Sequence, residues 1–71
     1  MTVIVYTQPN CPPCNAVKRL LTAEGIAFEE RPAADHLDYL VSIGARSAPV
    51  IVDGTHVIHG FNPDQLRALS Q

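Results

Sequence analysis

Cys11-Pro12-Pro13-Cys14 stands where an apolar run, Val3-Ile4-Val5-Tyr6, meets a segment of helical periodicity. The two cysteines are the only ones in the chain. A CxxC pair at a strand-to-helix junction is the sequence form of a thiol–disulfide redox centre. A bridge between these cysteines closes a loop of four residues. So short a loop restricts the unfolded chain little, which makes the pair a poor staple. Chemistry is the better reason for it. The rest of the chain then has one task, to hold the pair at a helix N-terminus and present it to a partner.

The chain has 71 residues, nearly half of them apolar, and reads as one domain over 1–71. A core of that size supplies about 3–5 kcal/mol. Net charge is −2, with five Lys and Arg and no run of like charge, so nothing marks a nucleic-acid surface. The opening Met1-Thr2-Val3-Ile4-Val5 has no basic n-region and enters a strand pattern at once. No apolar stretch approaches the ~18 residues of a membrane span. The expectation is a soluble protein of the reducing cytoplasm. Nothing in the sequence points beyond a monomer.

Thr2 to Tyr6 is apolar without alternation, as in a strand buried on both faces. Thr7 to Asn10 is a polar turn. From Cys14 onward Val17, Leu20, Leu21 and Ala23 form a helical stripe that Gly25 terminates, with Lys18 and Arg19 facing away. Pro12 and Pro13 fall in the first turn, where the missing N–H groups have no helical partner anyway. Ile26 to Glu30 alternates like a half-buried strand and stops by Pro32. Asp35 is the expected N-cap of a second helix, with Leu37, Leu40, Val41 and Ile43 on its buried face and Gly44 at its end. After the loop Ala45–Ala48 and Pro49, the runs Val50–Val52 and Thr55–His59 flank Asp53-Gly54 as a β-hairpin. Gly60-Phe61 leads out. Asn62, Pro63 and Gln65 predict a last helix as N-cap, N1 and N3, with Leu66 and Leu69 buried. The order β-α-β-α-β-β-α implies a four-stranded mixed α/β sheet with helices on both faces.

Helix position separates the two thiols. Cys11 lies at the N-cap, where the helix dipole and free N–H groups favour an anionic sulfur. With prolines at 12 and 13, the nearest remaining donors are the amides of Cys14 and Asn15. Cys14, one turn in, is the more buried sulfur. Cys11 is therefore the nucleophile that attacks a disulfide, and Cys14 resolves the mixed disulfide by attacking Cys11.

Other readings stand beside this one. The pair could be structural. A zinc site would use Cys11, Cys14 and two of His36, His56 and His59, but His56 and His59 lie three apart on an expected strand and point to opposite faces. Pro49 is either a cis-proline beside the CxxC, leaving the backbone of Ala48 for an extended substrate, or a trans proline opening an edge strand. Phe61 is either core or an exposed docking aromatic. Tyr6 either packs or lines the site.

Three stretches carry a family resemblance. They are Tyr6-Thr7-x-Pro9-x-Cys11-x-x-Cys14, Ser47-Ala48-Pro49-Val50 and Gly60-Phe61-x-Pro63-Asp64. Together they resemble glutaredoxin-like proteins, and more narrowly the NrdH-redoxins, electron donors to class Ib ribonucleotide reductase. The resemblance covers nearly the whole chain. It implies a thioredoxin fold, a cis-Pro49, Cys11 as nucleophile and Cys14 as resolving residue. The partner-binding residues it suggests are Tyr6, Pro12, Pro13, Ala48, Pro49, Gly60 and Phe61. It implies no bound cofactor and no metal. NADPH acts indirectly, through thioredoxin reductase as the reductant, and ribonucleotide reductase is the client. Pro12-Pro13 replaces the Val/Met-Gln usual between NrdH-redoxin cysteines, and Ile58-His59 replaces their Trp-Ser.

Glutaredoxins that hold glutathione resemble Gly-Gly-x-Thr/Ser-Asp after the last strand and carry a basic residue before the CxxC. Here Pro63 stands at that Asp, and uncharged Gln8 and Asn10 flank Pro9. A glutathione-dependent glutaredoxin is the rival reading. An iron–sulfur or metal-binding relative would usually keep one cysteine, and a colourless purified protein would remove it. A non-catalytic interaction module would not need Cys11 at all.

Overall fold

The strand β1 (Val3–Thr7) runs through the middle of the sheet. In the computed structural model, which describes residues 2–69, it is followed by α1 (Pro12–Ala23), β2 (Phe28–Pro32), a 3₁₀ turn (Ala33–His36), α2 (Leu37–Ser42), β3 (Val50–Asp53), β4 (His56–His59) and α3 (Pro63–Ala68). The first residue and the last two of the 1–71 domain lie outside the described residues. The sheet order is β2-β1-β3-β4. β2 pairs parallel to β1, whereas β1–β3 and β3–β4 are antiparallel. This is the mixed sheet the element order implies.

Alternation along the central strands makes two cores. Val3 and Val5 of β1, Ile51 of β3 and Ile58 of β4 face Val17 and Leu21 of α1 and Leu66 of α3. On the opposite face Tyr6, Val50 and Val52 pack with Leu40 of α2. β1 is thus covered on both sides, which is why it carries no alternation of polarity. Leu20 joins the first core while Ala23 is exposed.

Helices α1 and α2 end in the same way. Gly25 N–H donates to the Thr22 carbonyl and Ile26 N–H to the Leu21 carbonyl. Gly44 and Ala45 repeat the pattern onto Val41 and Leu40. These are Schellman motifs, and φ is +71° at Gly25 and +81° at Gly44, where a side chain is disfavoured. The first motif also moves a strand boundary. Ile26 is used to close α1, so β2 starts at Phe28 and runs to Pro32, not from Ile26 to Glu30.

Three other expectations are corrected. Asp35 is not the cap of α2. It lies inside the 3₁₀ turn, and the N-cap position falls to His36, which makes no capping side-chain hydrogen bond and packs edge-on against Tyr6 at 5.3 Å. The apolar residues of α2 do not share one buried face: Leu40 is buried, but Leu37 and Val41 are 59% and 72% exposed. At about 3.6 residues per turn Leu40 and Ile43 form the inward stripe, and Leu37 and Val41 fall to one side of it. The hairpin turn is Gly54-Thr55, because Asp53 pairs with His56. Gly54 takes φ +62° at the first loop position, where a side chain would be strained. The last helix starts as expected: Asn62 caps α3 by accepting from the Gln65 N–H at 3.2 Å.

Candidate active site

β1 delivers the chain to the top of the sheet, and three residues then reverse it into α1. Asn10 adopts a left-handed φ of +55°, a conformation its short polar side chain tolerates. Cys11 follows as N-cap in extended geometry, with Pro12 and Pro13 in the first turn. Its sulfur takes the place of the oxygen that usually caps a helix, accepting the Cys14 N–H at 3.2 Å. The Asn15 amide goes instead to the Cys11 carbonyl at 3.2 Å, so Cys14 is the one backbone donor of the expected two that reaches the sulfur. Negative charge on Cys11 Sγ is favoured by that amide and by the helix N-terminus.

Cys11 and Cys14 are joined as a disulfide with Cα atoms 5.2 Å apart. Cys14 is the more enclosed, at 1% exposure against 5% for Cys11. Pro12 and Pro13 are exposed around them. The Ala48–Pro49 peptide is cis. Tyr6 is paired with Val50, so Pro49 lies level with Thr7, at the end of β1 that leads into the cysteines. The Pro49 carbonyl accepts the Gly60 N–H at 2.9 Å, which ties the 48–49 turn to the exit of β4.

The remaining named residues divide. Phe61 is 45% exposed and takes the surface alternative. Tyr6 takes the packing alternative: it is 4% exposed, with its ring against His36 and Tyr39 in the second core. His56 and His59 are exposed on β4, the edge strand opposite β2, whereas His36 lies in the turn that follows β2. Among the described residues no three His, Cys, Asp or Glu side chains come together to hold a metal.

An open groove of about 510 Å³ runs beside Cys11, lined also by Thr7, Asn15, Lys18 and Glu30. Glu30 Oε2 accepts from Thr7 Oγ1 at 2.8 Å and pairs with Lys18 Nζ at 3.1 Å. The Thr7 hydroxyl first, and Lys18 next, hold the Glu30 carboxyl below its ordinary value. Sequence reasoning missed this cluster. Lys18 had a usable signal, since it stands seven residues after Cys11 and therefore on the same side of α1. Glu30 had none, because its place depends on the β1–β2 register, Val5 opposite Glu30.

Residues 3–57 match the glutaredoxin family model. The chain belongs to the glutaredoxin family. Among its relatives, the glutaredoxin-like protein NrdH of Lactococcus lactis subsp. lactis is 34% identical, over 96% of this chain and 99% of that protein. The gene 56 protein of Mycobacterium phage L5 is 44% identical over 94% of this chain and 70% of that protein. The structure of the glutaredoxin-like NrdH-redoxin from Escherichia coli superposes with a TM-score of 0.90 at 30% identity, covering 97% of this chain and 95% of that one. The fold of this glutaredoxin-family chain is accordingly thioredoxin-like, and its Cys11–Cys14 pair is that of a thiol–disulfide oxidoreductase.

Proposed function

We propose that the chain is a protein-disulfide reductant of the NrdH-redoxin type, recharged by thioredoxin reductase at the expense of NADPH, with ribonucleotide reductase as client. The observation that carries the reading is the Cys11 sulfur at the N-terminus of α1, hydrogen-bonded by the Cys14 amide and bordering an open groove. In the reduced protein the Cys11 thiolate attacks a client disulfide and releases one client thiol. Cys14, deprotonated, then attacks Cys11 and releases the second. The client gains two electrons and two protons, and the protein returns to the Cys11–Cys14 disulfide.

The choice of reductant rests on what surrounds the site. Pro63 stands at the place where glutathione-binding relatives carry an acidic residue, and Asn62 beside it is occupied in capping α3. Asp64 is fully exposed, with Arg67 3.9 Å away. On the other side of the cysteines, Lys18 is already paired with Glu30. The thioredoxin-like activity profile of the Escherichia coli NrdH-redoxin supports the same reading.

The test is NADPH consumption with insulin as disulfide substrate, run with two regenerating systems. One holds thioredoxin reductase, the other glutathione with glutathione reductase. Turnover with the first alone is the expected result. Turnover with the second alone would make the protein a glutathione-dependent glutaredoxin.

A further inference from the structure

Next to the Cys11 groove lies a second recess, and Gln8 borders both. It has a volume of about 200 Å³ and runs between α2 and the loop that ends at Ala48. Leu40 and Val50 are its buried apolar lining, and Leu37 and Val41 also line it as two of the most exposed large apolar side chains of the described residues. Small-molecule sites run from about 300 Å³ upward. This recess is below that range and suits a single large side chain.

Two further features bear on what enters it. Arg46 is the only charged residue lining the recess, and it makes no ion pair among the described residues. Asp35 and Asp38 border a different recess, with His36 and Tyr39. The N–H and C=O of Ala48 also make no hydrogen bond among the described residues, which leaves a backbone edge for strand addition.

We infer that this recess reads the sequence of the client. The occupant is an extended, disulfide-bearing peptide segment that carries a bulky aliphatic residue beside its cysteine and a carboxylate within reach of Arg46. The aliphatic side chain rests on Leu40 between Leu37 and Val41, while the peptide backbone runs along Ala48. The continuity through Gln8 places the peptide's sulfur at Cys11. The inference rests on the protein-disulfide reductant reading.

The experiment uses the pre-reduced full chain and four synthetic peptides, each with one cysteine and supplied as its symmetric disulfide dimer. They carry Leu and Asp beside the cysteine, Leu and Lys, Gly and Asp, or Gly and Lys. Each turnover reduces one dimer to two peptide thiols and oxidises Cys11 and Cys14 to their disulfide. Rates are followed by chromatography of the free thiol peptide.

The expected result is that Leu peptides react about tenfold faster than Gly peptides, as for loss of an apolar contact in a partly open pocket. Asp peptides should exceed Lys peptides by about threefold at low salt, as for an exposed ion pair. Val41→Asn should shrink the Leu:Gly ratio, and Arg46→Glu should reverse the Asp:Lys ratio. Both sites are exposed, so the ratios are read on folded protein. Equal rates for all four peptides overturn the inference while leaving the reductant reading intact. If, in addition, Val41→Asn slows recharging by thioredoxin reductase, the recess belongs to the reductase. Failure to reduce any of the dimers overturns both readings.

Discussion

The Cys14 amide donates to the Cys11 sulfur across 3.2 Å, so the resolving residue supplies the backbone bond that steadies the nucleophile. This contact acts on Cys11 at the cap of α1, and Cys14 lies deeper, at 1% exposure. The two thiols should therefore react in sequence. In the reduced protein Cys11 should be the thiol that alkylates first. Cys11→Ser should abolish disulfide reduction. Cys14→Ser should still attack and then stall as a mixed disulfide, visible by mass spectrometry as a client adduct at Cys11. An adduct of equal yield on Cys14 in Cys11→Ser would reverse the roles.

Glu30 and Lys18 should tune Cys11 in opposite directions. Both line its groove, from β2 and α1, and Thr7 adds an uncharged hydroxyl. No other charged residue lines that groove. Glu30→Gln leaves the Lys18 ammonium uncompensated and should shift the pH profile of Cys11 alkylation to lower pH. Lys18→Gln leaves the carboxylate alone and should shift it to higher pH. The double variant should return near the parent. The pair is half exposed, so each shift should fall by roughly half when salt is raised to about 1 M and the screening length contracts. Two single variants moving the profile the same way would exclude this electrostatic account.

The same carboxylate links stability to pH. Glu30 has a folded value lowered from 4.5, first by the Thr7 hydroxyl and then by Lys18. A lowered carboxyl stabilises the folded state above its unfolded value, and that contribution disappears as pH falls through the folded value. Parent and Glu30→Gln should thus differ in Tm at pH 7, and the difference should shrink as pH falls below 4.5. The difference at neutral pH should stay within about 1 kcal/mol, because the ion pair is at the surface. Melts at several pH values check it, and a gap that widens on acidification would contradict it.

Gly44 tests how α2 is stopped. At φ +81°, with open space around the position of an added Cβ, any penalty for a side chain comes from the backbone alone. Gly44→Ala should destabilise by about 1–2 kcal/mol. Gly44→Asn should cost less, since Asn tolerates the left-handed region. Urea unfolding of the three proteins gives the order.

What the sequence made legible was local or periodic. The uninterrupted Val3–Tyr6 run announces a strand covered on both faces, and the glycines at 25 and 44 announce helix ends. Asn62-Pro63 marks the start of α3. The CxxC needs only its neighbours to be read. What escaped depends on partners distant in the chain. Glu30 reaches Thr7 only through the parallel register of β2. Which way α2 turns is decided by Leu40 and Ile43 against the sheet, so the equally apolar Leu37 and Val41 look the same in sequence and end up outside. The cis state of the Ala48–Pro49 bond was accessible through family resemblance, and the residues alone left it open.

Leu21 and Leu37 separate those two kinds of apolar residue by experiment. Leu21 is fully buried between α1 and the sheet, in the core with Val5, Ile51 and Leu66. Its truncation to Ala removes buried contacts and leaves a cavity, and such changes destabilise by about 2–5 kcal/mol. A chain this short has about 3–5 kcal/mol to lose. Leu21→Ala should therefore be partly or wholly unfolded at 25 °C, with circular dichroism reporting the loss. Leu37 is 59% exposed, so Leu37→Ala should stay within about 0.5 kcal/mol of the parent. Chemical denaturation of both variants decides the matter. A large loss at Leu37 would mean that α2 is held through its outer residues, and the two-face core described above would need to be redrawn.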